Sequence, residues 1–175
     1  MILWLNGPHG VGKSSVARHI VRAERGVRLI DPEAIGHRLR RELGEPTPDD
    51  FKDLPEWRAR TVAALSAARE KLVVVPMTLS DPQHFEEVIG TLRRGGADVR
   101  HVTLMARPET VRARIGKRWN WPRAKRWALA RVEGSLAALA GEPFAPHVWT
   151  DGIGIPAVAD AVTAEARLFL VNEVG

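Results

Sequence analysis

The sequence predicts an α/β protein of three layers, with a five-stranded parallel sheet between two layers of helices. Two observations carry this. Short apolar runs, Ile2–Leu5, Val27–Ile30, Leu72–Thr78, Val99–Leu104 and His147–Thr150, alternate with stretches of helical periodicity, and strands alternating with helices fold into a parallel sheet with right-handed crossovers. The run Leu72-Val73-Val74-Val75-Pro76-Met77-Thr78 is also apolar without alternation, the pattern of a strand covered on both faces. At 175 residues, 45% of them hydrophobic and 27% charged, the chain suits one domain with one core.

Between the first strand and the first helix stands Gly7-Pro8-His9-Gly10-Val11-Gly12-Lys13-Ser14-Ser15. Gly7, Gly12, Lys13 and Ser14 fit G-x-x-x-x-G-K-[ST], in which backbone amides cradle phosphates, the lysine reaches the β/γ-phosphates and the hydroxyl holds Mg²⁺. The position strengthens the match. A helix N-terminus behind a glycine loop offers free N–H groups and the positive end of a dipole, which suits an anion. All nine residues from Gly7 to Ser15 are therefore assigned to the nucleotide. His9 has no second histidine at metal-ligand spacing, so it receives no catalytic role.

The remaining elements follow in order. Helix one runs from Ser15 to Arg25 with Ala17, Ile20 and Val21 inward. After the second strand, Asp31 is placed to cap a helix whose first position is Pro32 and which ends at Gly44. Glu45 to Asp50 reads as a loop and Pro55 to Glu70 as a helix. Ser80 and Gln83 are spaced for a capping box, opening a helix that stops at Gly95-Gly96. Pro108 opens a helix to Ile115, Trp119-Asn120-Trp121-Pro122 breaks it, and Arg123 to Leu139 is helical again. Pro156 to Val171 is the last helix. No repeat or linker divides the chain.

Composition narrows the chemistry. With no cysteine, disulfides, thiolate metal sites and cysteine nucleophiles are excluded. The chain has neither a basic leader nor a bilayer-length apolar run, so the cytoplasm is the expected compartment. Weak peripheral membrane contact is conceivable only through Leu168 to Val171. The net charge of +5 is unevenly spread: Arg107 to Arg131 holds nine basic residues against one acid, Glu109. A basic segment of this kind reads either as a solvated face or as arginines that close over phosphates. Arg114 and Arg118 share a helical face, and Arg123 and Arg126 follow the break.

Ligands of open parallel sheets sit beyond the C-terminal strand ends. Asp31 lies at such an end, where a phosphotransferase needs a carboxylate for the acceptor hydroxyl or for Mg²⁺. Glu33 is either a second acceptor contact or a complement to the helix dipole. Trp57-Arg58 reads as a stacking and hydrogen-bonding pair for substrate, or as a core tryptophan beside a surface arginine. Thr78 either contacts substrate or ends its strand. Trp119 and Trp121 read as lid packing rather than a nucleic-acid platform, and no nucleic-acid partner is expected.

Together these residues resemble the nucleoside- and nucleotide-kinase branch of P-loop proteins. More closely they are similar to the tunicamycin-resistance ATP-binding proteins. The matching blocks are Trp4-Leu5-Asn6-Gly7, Asp31-Pro32-Glu33, Asp50-Phe51 with Trp57-Arg58, Val75-Pro76-Met77-Thr78 and Thr103-Leu104-Met105-Ala106. The resemblance implies a nucleoside-monophosphate-kinase-like fold over 1–175, with an acceptor-binding helical region at about 32–70 and a helical lid at about 115–127. It implies ATP with Mg²⁺ and a nucleoside-like small molecule, tunicamycin, as partners. Lys13, Asp31, Arg118 and Arg123 would be catalytic. Ser14 and Asp31 would serve the metal, Arg114 the adenine, and Asp31, Glu33, Trp57, Arg58 and Thr78 the substrate. The third strand ends without the usual metal-ordering acid, so Asp31 must cover that role. That departure keeps open a drug-binding protein without chemistry, and the charge keeps open a nucleic-acid end kinase.

Overall fold

The computed structural model describes residues 1–44, 50–117 and 122–166. Its strands are β1 (Ile2–Asn6), β2 (Val27–Leu29), β3 (Leu72–Pro76), β4 (Val99–Met105) and β5 (His147–Trp149). They pair in parallel in the order β2-β3-β1-β4-β5. Every residue of β1 and β3 is buried, as their unbroken apolar runs require. The edge strands β2 and β5 are three residues each and partly exposed, which limits the unpaired backbone a sheet edge offers.

α1 (Lys13–Ala23) returns from β1 to β2 past β3, and α9 (Ile155–Glu165) packs against it. The connections from β2 through β4 run the opposite way, which for right-handed crossovers puts their helices on the other face. These are α2 (Pro32–Leu43), α3 (Pro55–Ser66), α4 (Pro82–Phe85) and α5 (Thr91–Arg94), the last two joined by a π turn, Glu86–Gly90. Between β4 and β5 come α6 (Pro108–Gly116), α7 (Pro122–Ala130) and α8 (Val132–Leu139). The five-stranded three-layer architecture is thus the expected one.

Several local expectations change. The cap of α4 is Asp81, not Ser80: Asp81 Oδ1 accepts from the backbone N–H of Gln83 and His84 at 2.7 and 3.2 Å. Pro82 takes the first helical position, so the residue before it becomes the cap. The helix expected over 123–139 begins at Pro122 and is interrupted at Arg131, whose φ of −104° and ψ of 1° leave the helical region. α3 ends at Ser66 and α9 at Glu165, and the apolar stretch Leu168–Val171 lies outside the described residues.

The α2–α3 layer is held by one aromatic cluster. Trp57 is fully buried and its indole N–H donates to Pro32 O at 2.9 Å, tying α3 to the first turn of α2. The Phe51 ring lies 5.4 Å from that of Trp57 and covers Gly36. Arg58 is engaged with Glu87 of the π turn and donates to Lys52 O at 2.6 Å. Glu87 sits below the ordinary carboxylate value chiefly because of that guanidinium.

His101 of β4 packs edge-on to Phe85 at 5.0 Å, with Arg93 Nη2 3.2 Å from its Nδ1. Burial first, then the charges of Arg93 and His147, hold its imidazole below the ordinary 6.5. A base depressed on folding contributes stability that is present above its unfolded value and lost as pH falls through the folded one. Glu70, Glu87 and Glu133 are held low by Arg28, Arg58 and Arg112, so their contribution is lost only below about 4.5.

Two expectations follow from this packing. A Cβ on residue 36 would lie 2.5 to 2.7 Å from Phe51 ring carbons. Gly36→Ala should therefore cost about 1–3 kcal/mol in urea unfolding, because the ring must move off α2. The melting temperature should fall between pH 7 and pH 5, and His101→Leu should flatten that dependence.

Candidate active site

The glycine loop lies at the C-terminal end of the central strand, β1. Gly7 has φ 134°, and a Cβ there would meet the Leu104 carbonyl at 2.5 Å, so only glycine passes between β1 and β4. Gly12 (φ 118°) is the N-cap of α1, and no side chain caps the helix. The positive end of the α1 dipole therefore lies directly behind the glycine loop. Lys13 is nearly buried, its Nζ donating to Gly7 O and Pro8 O at 2.8 and 3.0 Å. Ser14 follows on α1, partly exposed, and Ser15 is exposed.

A residue not singled out from the sequence anchors this loop. Asn6 is fully buried. Its Oδ1 accepts from Gly7 N and Leu79 N, both at 2.9 Å, and its Nδ2 donates to Leu79 O at 2.8 Å. Trp4 Nε1 adds a bond to Met77 O at 3.1 Å. Thr78 belongs to the same strap: its hydroxyl is buried and donates to Gly7 O at 2.7 Å. This corrects Thr78 from a substrate contact to a buckle between β3 and the loop. The signal was available, since an amide closing the run Ile2-Leu3-Trp4-Leu5 is a polar group that must find partners.

Beside the loop is a cavity of about 230 Å³ bounded by Gly10–Gly12, Ser15, Arg114, Thr150, Ile153 and Ile155. Arg114 Nη1 donates to Val11 O at 2.9 Å and to Thr150 Oγ1 at 2.8 Å, and Nη2 donates to Thr150 O at 2.7 Å. The guanidinium thus joins α6, the glycine loop and the end of β5. Asp151 caps α6, both carboxylate oxygens accepting from Arg107 N at 3.1 and 3.2 Å. Apolar Ile153 and Ile155 opposite a planar cation make walls suited to a heterocyclic base.

On the other side, Asp31 follows β2, with β3 between it and the loop-bearing β1. It caps α2, Oδ1 accepting from Glu33 N at 3.0 Å, and it is half-buried like Glu33. Trp57 and Arg58, the expected substrate pair, find partners within the protein. The indole is in the core and the guanidinium is engaged with Glu87 and Lys52, so both hold up the α2–α3 layer instead. Periodicity alone could not separate a core tryptophan from a stacking one.

Of the expected lid, Arg118, Trp119 and Trp121 lie outside the described residues. Arg123 is exposed on α7. From the same helix Trp127 meets His9 of the glycine loop edge-to-face, ring centroids 5.1 Å apart at 75°. Arg131 Cζ lies over the same indole, 4.2 Å from its ring centre. Neither Trp127 nor its pairing with His9 was anticipated, because a contact between residues so far apart leaves no local pattern. Among the described residues, no helix is long and apolar enough to cross a membrane, and no group of three or more His, Asp or Glu could hold a metal.

Comparison with known proteins agrees with this geometry. The AAA domain family model matches residues 2–139. Among solved structures, the tunicamycin resistance protein of Deinococcus radiodurans superposes with a TM-score of 0.72 at 30% identity, covering 93% of each chain. A gluconokinase from Sinorhizobium meliloti 1021 gives 0.66 at 22% identity over 94% of this chain and 90% of its own. Shikimate kinase from Bacteroides thetaiotaomicron gives 0.67 at 17% over 96% and 99%, and these last two share the fold. No curated protein sequence matches significantly. The chain belongs to the AAA domain family, in the P-loop kinase-like form that it shares with the tunicamycin resistance protein.

Proposed function

We propose that this protein is an ATP-dependent kinase that transfers the γ-phosphoryl group to a hydroxyl of a nucleoside-like small molecule, with tunicamycin as the leading acceptor. The observation that carries the reading is the uncapped α1 N-terminus behind the glycine loop, with the Arg114 cavity on one side and Asp31 beyond the other. The similarity to the Deinococcus radiodurans protein supports the choice of acceptor.

The roles follow from placement. The loop from Gly7 to Ser15 takes the phosphates, and Lys13 leaves the Gly7 and Pro8 carbonyls for the β/γ-phosphates. The base enters the cavity under Arg114. The Ser14 hydroxyl and the Asp31 carboxylate are hard oxygen donors that suit Mg²⁺, an ion that keeps several waters and needs few protein ligands. When bound, Mg²⁺ neutralises charge on the β- and γ-phosphates. Asp31 accepts the acceptor's hydroxyl proton as its oxygen bonds to the γ-phosphorus and the bond to the β-phosphate oxygen breaks, releasing ADP. Glu33, in the first turn of α2, borders the same acceptor space. Arg123, with Arg118, supplies positive charge to the transferred group.

A second reading, binding of the drug without chemistry, is favoured by one feature. β3 ends Val75-Pro76 with no acid, and Asp31 already caps α2.

Incubation with ATP and tunicamycin followed by mass spectrometry should show a product heavier by one phosphoryl group. Asp31→Asn should lower kcat by about 10²- to 10⁴-fold while ATP affinity changes little. No phosphorylated product with tunicamycin or any other nucleoside sinks the kinase reading. Resistance that survives Asp31→Asn in cells establishes sequestration.

A further inference from the structure

We propose that Trp127 is a positioning residue of this site. By seating against His9 it sets the rotation of α7 so that Arg123 faces the phosphate loop. The inference rests on the kinase reading and deepens it by naming what aims the lid arginine.

α7 packs on α6 and α8, and none of its residues is fully buried; Lys125, Trp127, Ala128 and Leu129 are half-buried. The Trp127–His9 contact is its direct tie to the glycine loop, and His9 stands inside that loop, three residues before Gly12. Arg131 covers the indole from the next turn, its Cζ 4.2 Å from the ring centre.

Helical geometry then decides which side chains follow. At about 100° per residue, Arg123 lies about 40° from Trp127, one turn towards the N-terminus on the same face. Arg126 is about 100° away, and Lys125 about 200°, on the opposite side. Lys125 Nζ donates to Gly116 O at 2.9 Å, at the end of α6. With Trp127 on the loop and Lys125 on α6, Arg123 is the arginine of α7 turned towards the phosphates. The indole touches no reacting atom in this arrangement; it acts through Arg123.

Calorimetric titration tests this with two ligands, a non-hydrolysable ATP analogue with Mg²⁺ and inorganic tripolyphosphate. Arg123→Ala and Trp127→Ala should each weaken both about five- to tenfold, and the double variant should lose little more than either single one, since they break one arrangement. Trp127→Phe should bind within about twofold of wild type, because it keeps an aromatic face against His9. His9→Ala breaks the contact from the loop without touching α7 and should match Trp127→Ala, whereas His9→Phe should restore binding. Arg126→Ala should cost less than Arg123→Ala. Three results would overturn the inference: Trp127→Ala within twofold of wild type, Phe at 127 as weak as Ala, or Arg126→Ala equal to or worse than Arg123→Ala. A Trp127→Ala chain that melts early is judged through His9→Ala. Neither ligand carries an acceptor, so failure to phosphorylate any nucleoside counts against the reaction alone. A wild type that binds neither ligand overturns both.

Discussion

The site depends on one buried amide. Asn6 has no contact with solvent, and its side chain bonds Gly7 N, Leu79 N and Leu79 O, joining the ends of the two central strands. A buried amide left without partners costs about 1–3 kcal/mol per unsatisfied group, so this arrangement has few alternatives. Trp4 to Met77 O and Thr78 to Gly7 O repeat the same strap on either side. Gly7 is pressed against the Leu104 carbonyl of β4 as well. The loop is thereby held to β3 and β4 by hydrogen bonds and close packing.

The two flanks of the loop are built differently. On the β4–β5 side, Arg114 reaches Val11 O in the loop and Thr150 at the end of β5, while Asp151 holds the start of α6. One guanidinium therefore shapes both the base cavity and the loop beneath the phosphates. On the β2–β3 side the link to the loop is the Thr78 hydroxyl on Gly7 O. Asp31 is set by capping α2, and α2 is set by Trp57, Phe51 and Gly36. The acceptor side is thus a separate layer whose position is transmitted through aromatic packing. The ion pair of Arg58 with Glu87 ties that layer to the π turn.

The basic segment after β4 serves more than one purpose. Arg112 pairs with Glu133, Arg114 supports the cavity, Lys125 closes on Gly116 O and Arg131 covers Trp127. The excess of positive charge there is largely distributed over helix packing.

Local chemistry determined the architecture. The unbroken apolar runs specify buried parallel strands, Pro32 and Asp31 specify where α2 begins, and Gly7 and Gly12 specify the tight turn from β1 into α1, because each signal lies within a few residues. The caps that went wrong, Ser80 for Asp81, failed by one position for an equally local reason, the proline at the first helical turn. What the tertiary structure alone decided is which polar side chains are free. Thr78, Trp57 and Arg58 look like substrate contacts in one dimension but are engaged with Gly7 O, Pro32 O and Glu87. Asn6 and the His9–Trp127 pair look unremarkable in the chain, but Asn6 bonds the strand ends together and His9 meets Trp127 edge-to-face across the fold. A side chain's partners across the sheet or across a helix layer are set by strand order and helix rotation, and neither is written within any short stretch of residues.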